Sequence, residues 1–232
     1  MGANANDGIP RFGRRTVVAL AVICGASIAG HLAVYPWLPA RIPSHWGVSG
    51  AVNATSPKQV ELLLDLLPVA LVALFWVVPR VDPKGRNYRD FWVFYQGFVI
   101  GITTFVCAIG WMGDLAALGV LPNGGEGFVG LAVPVGVGAL FVGIGNYMPR
   151  VSRNYSFGVK TPWALADPLV WQKSQRMGGR TFVAMGVGLV ALGVLSPLMP
   201  DAAVFAVLLA LVIGGSIWTV LYSYLVWRRR YR

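Results

Sequence analysis

The stretch RVSRNYSFGVKTPWALADPLVWQKSQRMGGR, Arg150–Arg180, lies between two long apolar runs. It holds six basic residues, two Trp, two Pro and three Gly. A turn between two packed elements needs far fewer special residues. A polar island between two runs of this length reads as the connection between membrane spans. Composition supports that reading: 56% of the chain is hydrophobic and only 12% charged, about half the charged share usual in soluble domains. A soluble chain with so few charges exposes large apolar patches and aggregates. The bilayer is the better solvent.

A helix needs about 20 apolar residues to cross the hydrocarbon core. Six segments qualify, at 16–38, 60–79, 91–112, 128–148, 181–199 and 203–227. The chain is therefore expected to be an all-α polytopic membrane protein. The net charge of +10 invites a nucleic-acid reading until the positions are counted. Of nineteen Lys and Arg, seventeen fall at the termini and in the even-numbered connections, leaving only Arg41 and Lys58 on the other side. The positive-inside rule then places both termini in the cytoplasm of a multi-pass plasma-membrane protein. No direct contact with nucleic acid is expected.

Three regions follow. Residues 1–15 read as a disordered basic tail, with Gly, Ala and Asn prominent in its first ten positions. Residues 16–79 form a first helix pair with an external loop, and 80–232 a four-helix region with a cytoplasmic loop at 149–180. The basic start also resembles a secretory leader, but its apolar run is too long and lacks a small-residue cleavage site, so a retained span is expected. Cys24 and Cys107 lie within apolar runs and give neither a disulfide framework nor zinc spacing. Small residues at Ala26/Gly30, Ala139/Gly143 and Ala184/Gly188 permit close helix approach. Pro134 is expected to kink the fourth span. No internal repeat supports an inverted-repeat transporter.

Ionisable groups inside a membrane are functional suspects. His31 and Asp65 lie at similar depth in the outer parts of the first two spans and are positioned to pair; the alternative is that each is hydrated near the headgroups. Gln96, Thr103 and Thr104 read as interhelical hydrogen-bonding groups. In the external loop, Pro43, Gly47 and Gly50 predict a compact turn, and Trp46 an interfacial anchor. His45 invites a metal reading with His31, Asp65 or Glu61. That reading rests on two His without an HExxH pair or a Cys cluster. Neither a nucleophile elbow, a P-loop nor a dinucleotide fingerprint is present. No catalytic residue, resident metal or cofactor is expected.

The basic turn at 81–90 reads as a collar for lipid headgroups. In the longer cytoplasmic loop, Thr161-Pro162 and Asp167-Pro168 each combine an N-cap with Pro at the first helical position. The second pair predicts a helix over 168–177, with Lys173, Arg176 and Arg180 on a narrow arc if Gly178-Gly179 leaves it unbroken. Such a segment can lie on the membrane, anchor the fifth span or bind a partner.

The run GNYMPRVSRNYSFGVKTPWALADPLVWQKSQRMGGR, Gly145–Arg180, closely resembles the signature of the SdpI family of bacterial and archaeal membrane proteins. The matching positions include Gly145, Asn146, Tyr147, Met148 and Pro149. They continue through Asn154, Tyr155, Gly158, Lys160, Thr161, Pro162, Trp163, Trp171, Arg176 and Gly179. Upstream, Ile42, Pro43, His45, Trp46 and Gly50 resemble the Ile-Pro-x-His-Trp element of the small domain that often precedes it. Pro83-Lys84 and Asn87-Tyr88 fit a further element between the second and third spans. The resemblance implies a non-enzymatic membrane protein that confers immunity to a secreted, sporulation-delaying toxin peptide. It also implies a signalling role, holding a winged-helix repressor at the membrane. The external ligand would meet Pro43, His45, Trp46 and Gly50. The cytoplasmic partner would meet the motif residues from Asn154 to Trp171 together with Lys173, Arg176 and Arg180. Two other classes compete: a small-solute or proton-coupled permease using His31 and Asp65, and a membrane metal-dependent hydrolase around His45.

The topology is open to direct measurement. Reporter fusions at Gly124 and at the C-terminus are expected to give external and cytoplasmic signals respectively; the same sign at both points breaks the assignment.

Overall fold

In lipid, every backbone polar group must be satisfied within the chain, which leaves helices as the spanning element for apolar runs of this length. The computed structural model, describing residues 8–48 and 50–231, is built accordingly. Helix α1 spans Arg14–Val34 and leads through a turn into a hairpin, β1 Arg41–Trp46 and β2 Val52–Pro57. A short α2, Gln59–Leu64, runs directly into α3, Leu66–Val81. Then come α4 Trp92–Ala117 and α5 Phe128–Tyr147. A single turn, α6 Pro162–Ala166, precedes α7 Pro168–Leu195 and α8 Asp201–Tyr231. Among the described residues six helical stretches are long and apolar enough to cross a membrane.

Their number agrees with the sequence reading, and two of their bounds do not. The third stretch continues to Ala117 and so takes in Asp114. The fifth begins at Pro168, well before the expected 181. The Asp167 side chain accepts from the backbone N–H of Leu169 and Val170, starting the helix there. Gly178 and Gly179 stay helical inside it because both are buried against the Met148–Pro149 turn. The basic arc therefore belongs to the end of a spanning helix, not to a separate surface helix. Helix α5 likewise runs on through Pro134.

Two expectations are corrected. Residues 1–7 of the expected disordered tail lie outside the described residues, but the part from Arg11 to Arg15 is held. Phe12 stacks on Trp92 and Tyr95, Gln96 accepts from the Gly13 N–H, and Arg14 and Arg15 open α1. The loop between the first two spans is a β-hairpin where a compact turn was expected. Its antiparallel register pairs Arg41 with Pro57 and Trp46 with Val52, with an irregularity around Pro43 and His45. Pro43 has no N–H to give a ladder, which suits an edge strand at a bulge.

The residues around Gly13 and the last described residues of α8 gather at one end of the bundle, the motif end, and the hairpin lies at the other. Arg230 and Tyr231 of α8 bond to Asp167, while the Gly13 backbone reaches α4. Between the ends, α5 and α7 pack through glycines. A Cβ at Gly138 would lie 2.6 Å from the Gly186 carbonyl oxygen, and one at Gly145 2.6 Å from that of Gly179. These contacts repeat every two turns along an antiparallel pair, so the seam runs the depth of the bundle. The spacing motif at Ala139/Gly143 misses the seam: a Cβ at Gly143 meets nothing within 4 Å.

Gly138→Ala is therefore expected to push α5 and α7 apart and to cost about 1–3 kcal/mol, the usual range for overpacking. Gly143→Ala should leave thermal stability unchanged or slightly raised, since Ala favours helix. Melting of the two purified variants in one detergent compares them; equal loss in both argues against the seam.

Candidate functional site

Three polar constellations remain once the apolar packing is removed. The hairpin is the first. Ile42 is fully buried, and the Trp46 indole N–H donates to the Gly124 carbonyl at 2.9 Å. Trp46 thus ties the hairpin to the α4–α5 connection and is no free interfacial anchor. Gly50 sits at φ +82°, and a Cβ there would lie 2.9 Å from the Gly127 nitrogen. Pro43 passes its carbonyl so close to Gly113 that a Cβ on the latter would come within 2.6 Å of it. His45 is exposed and pairs with Asn53 at 2.6 Å. It joins neither His31, Asp65 nor Glu61 in a metal site: among the described residues no group of three or more His, Cys, Asp or Glu is placed to hold a metal ion.

The second constellation lies beneath the hairpin. His31 Nδ1 is 2.5 Å from Asp65 Oδ1, and His31 Nε2 is 3.6 Å from Asp114 Oδ2. The expected pair is thus a trio, with the imidazole between two carboxylates. Asp65 occupies the junction of α2 and α3, one turn before Pro68, whose missing N–H leaves the Leu64 carbonyl without its helical donor. Glu61 is 4% exposed, and its Oε1 approaches Gly113. Trp111 stacks on His31 with ring centroids 4.1 Å apart and donates to Ser27 Oγ. Sequence reasoning missed Asp114. The one available signal was an acid flanked by apolar residues in WMGDLAALGV, on the helical face that also carries Thr103 and Cys107.

The motif end is the third. Here Asn154, Gly158, Thr161 and Trp171 shape the loop from inside. Asn154 is fully buried; its carbonyl accepts from Ser156 and Phe157 N–H, and its amide donates to Ser152 and Phe157 carbonyls. Gly158 adopts φ +99° against the Gln175 side chain. That amide exchanges hydrogen bonds with both backbone groups of Val159. Thr161 meets Ser223 Oγ at 2.6 Å, and the Trp163 indole donates to the same oxygen at 2.7 Å. The Trp171 indole donates to the Val151 carbonyl. Buried groups of this kind hold the loop and cannot touch a partner. Contact falls to the exposed Tyr155, Lys160, Pro162, Lys173, Arg176 and Arg180 and to the half-buried Trp163.

Asp82 unites the two loops at this end, although in the sequence it is marked by nothing beyond a turn. Its carboxylate accepts from the backbone N–H of Lys84 and Tyr155 and from the hydroxyls of Tyr88 and Ser156. Desolvation, then the nearby Arg153, pushes the Lys84 ammonium below the ordinary lysine range. Asp167 is held below the usual carboxylate range, first by the Tyr231 hydroxyl and also by the backbone N–H groups it caps and by Arg230. Beside the loop, Lys173, Arg176 and Arg180 of α7 and Trp218, Tyr222 and Arg229 of α8 line an open groove of about 450 Å³.

Residues 150–223 match the SdpI/YfhL protein family, and residues 22–72 match the Domain of unknown function (DUF1648). The chain is 23% identical over 174 residues to the immunity protein SdpI of Bacillus subtilis (strain 168), covering 75% of this chain and 78% of that one. No solved structure matches. The resemblance read from the motif is thus met by a family match over the motif itself, and with six apolar helices among the described residues the protein is a multi-pass plasma-membrane protein.

Removing the Asp82 carboxylate leaves the buried Tyr88 hydroxyl and the Tyr155 N–H without their acceptor. Hydrogen bonds to charged groups contribute about 1.5–3 kcal/mol. Asp82→Ala is therefore expected to destabilise by about 2–3 kcal/mol and to expose the 151–160 segment to protease, while Asp90→Ala at the exposed rim does neither. Limited proteolysis of both variants in native membranes checks this.

Proposed function

We propose that this chain is an immunity and signalling protein, with the hairpin outside the cell and the motif end in the cytoplasm. The observation that carries the reading is the fixed hairpin. Ile42, Trp46 and Gly50 bind it to the bundle, leaving Arg41, Ser44 and His45 exposed. A rigid polar face of this kind offers a secreted toxin peptide strand edges and side chains without an ordering cost. Pro43, His45, Trp46 and Gly50 then divide the work. His45 faces the ligand, while the other three hold the hairpin in shape. The role is binding, not catalysis, and the named relative is an immunity protein.

At the cytoplasmic end the same reading assigns Tyr155, Lys160, Lys173, Arg176 and Arg180 to a partner such as a winged-helix repressor. The basic stripe would repel the DNA-binding surface of a repressor, so contact uses an acidic or apolar patch elsewhere on it. Trp218, Tyr222 and four cations in the groove between α7 and α8 suit such a patch. A proton-coupled permease is the second reading, and the His31–Asp65–Asp114 trio is the observation that favours it.

Lys173→Gln with Arg176→Gln tests the cytoplasmic assignment. Protection from the peptide should persist, while recovery of the cytoplasmic partner from membranes falls at least tenfold. If partner recovery and reporter induction both stay normal and only membrane level drops, the stripe serves anionic lipid and the assignment fails.

A further inference from the structure

The buried face of α1 consists of Thr16, Leu20, Cys24, Ser27 and His31, so every one of its five side chains except Leu20 carries a polar atom. Opposite them α4 presents Gln96, Thr103, Cys107, Trp111 and Asp114. Several contacts are made: Thr16 to Gln96, Trp111 to Ser27 and His31 to Asp114. Interhelical hydrogen bonding is a sufficient reason for most of this seam. It is not sufficient at the hairpin end. Among the described residues no hydrogen-bond partner reaches His31 Nε2, Asp65 Oδ2, Thr103 Oγ1 or either oxygen of Asp114, although Asp114 is fully buried. A network kept for stability satisfies its members.

Charge makes the same point. Asp65, Asp114 and Glu61 surround one imidazole, so even a doubly protonated His31 leaves an excess of negative charge. The neighbouring cations are engaged elsewhere. Lys58 donates to the Tyr35 and Leu38 carbonyls, and Arg41 bonds to Thr55. The other titratable groups facing the site are the thiols of Cys24 and Cys107, both free and buried. The hairpin contributes only the Ile42 side chain and the Pro43 carbonyl over Gly113.

We propose that His31, Asp65, Asp114 and Glu61 form a proton-binding site within the membrane, opening toward the hairpin side. The imidazole passes the proton between the Asp65 and Asp114 carboxylates, and Glu61 exchanges it with water at the hairpin edge. Binding makes one O–H or N–H bond at the site and breaks one O–H bond of a hydronium ion, which departs as water, so no other co-reactant is needed. The ligand is a proton and not a metal ion because the side chains are not disposed around a common centre. The site stands on geometry alone and holds whether the chain confers immunity or transports a solute.

The full-length chain in nanodiscs, in buffers free of added metal, provides the test. Infrared difference spectra between acid and alkaline buffer are expected to show a carboxyl carbonyl band that weakens in Asp114→Asn and in Glu61→Gln. The exposed Glu126→Gln controls for surface carboxyls. Trp111, stacked on His31, is expected to change fluorescence over the same pH interval, a change lost in Trp111→Phe and in His31→Gln. If Asp114→Asn fails to fold, Glu61→Gln and the Trp111 comparison carry the decision. Difference spectra that are the same in wild type and in every folded cluster variant overturn the proposal. So does a spectrum that responds to sodium or calcium at fixed pH and not to pH itself.

Discussion

A hydrocarbon solvent offers no hydrogen bonds, and that constraint arranges everything else in this chain. Helices settle the backbone; the side chains have to be settled one by one. At the motif end this produces dense mutual bonding in which single groups serve several others. The Asp82 carboxylate gathers donors from two loops, Ser223 Oγ meets both Thr161 and Trp163, and Gln175 closes a two-way bond with Val159. At the hairpin end the same constraint is met incompletely around Asp114. Among the described residues the motif end leaves the buried Ser174 Oγ without a partner, against four such atoms on His31, Asp65 and Asp114 near the hairpin, so the two ends differ in degree.

The special residues of Arg150–Arg180 belong to the motif end. Their excess is explained by how little room the loop has. Gly158 must present backbone to Gln175, Asn154 must replace missing backbone partners, and Asp167 with Pro168 must start a helix below the bilayer surface. What the sequence displayed as a recognition motif is to a large degree the scaffold that holds a few exposed cations in place.

Much of this was readable beforehand, and for physical reasons. Spans are readable because length and apolarity alone define them, and the His31–Asp65 pair because depth along two adjacent helices is simple arithmetic. The hairpin was not. RIPSHW and VNATSP each carry a Pro and flank Gly47 and Gly50, signals that fit a turn equally well, and packing on Gly113 and the α4–α5 connection makes them strands. Asp114 fell just past the assumed end of its span, because hydropathy cannot say where a helix ends within a turn or so. The Gly138–Gly186 and Gly145–Gly179 contacts were hidden for another reason. A spacing rule marks small residues, but which face of the helix meets a neighbour is settled by that neighbour.

Helix α7 has 28 residues, which at 1.5 Å each is about 42 Å of rod, against a hydrocarbon core of about 30 Å. The surplus is about 12 Å, roughly two turns, and at the motif end Val170, Trp171, Ser174 and Gln175 are buried in the fold. A protein docking there grips a lever whose far end lies beside the hairpin's own support, so a push on either end reaches the other by rigid-body motion, without any hinge between.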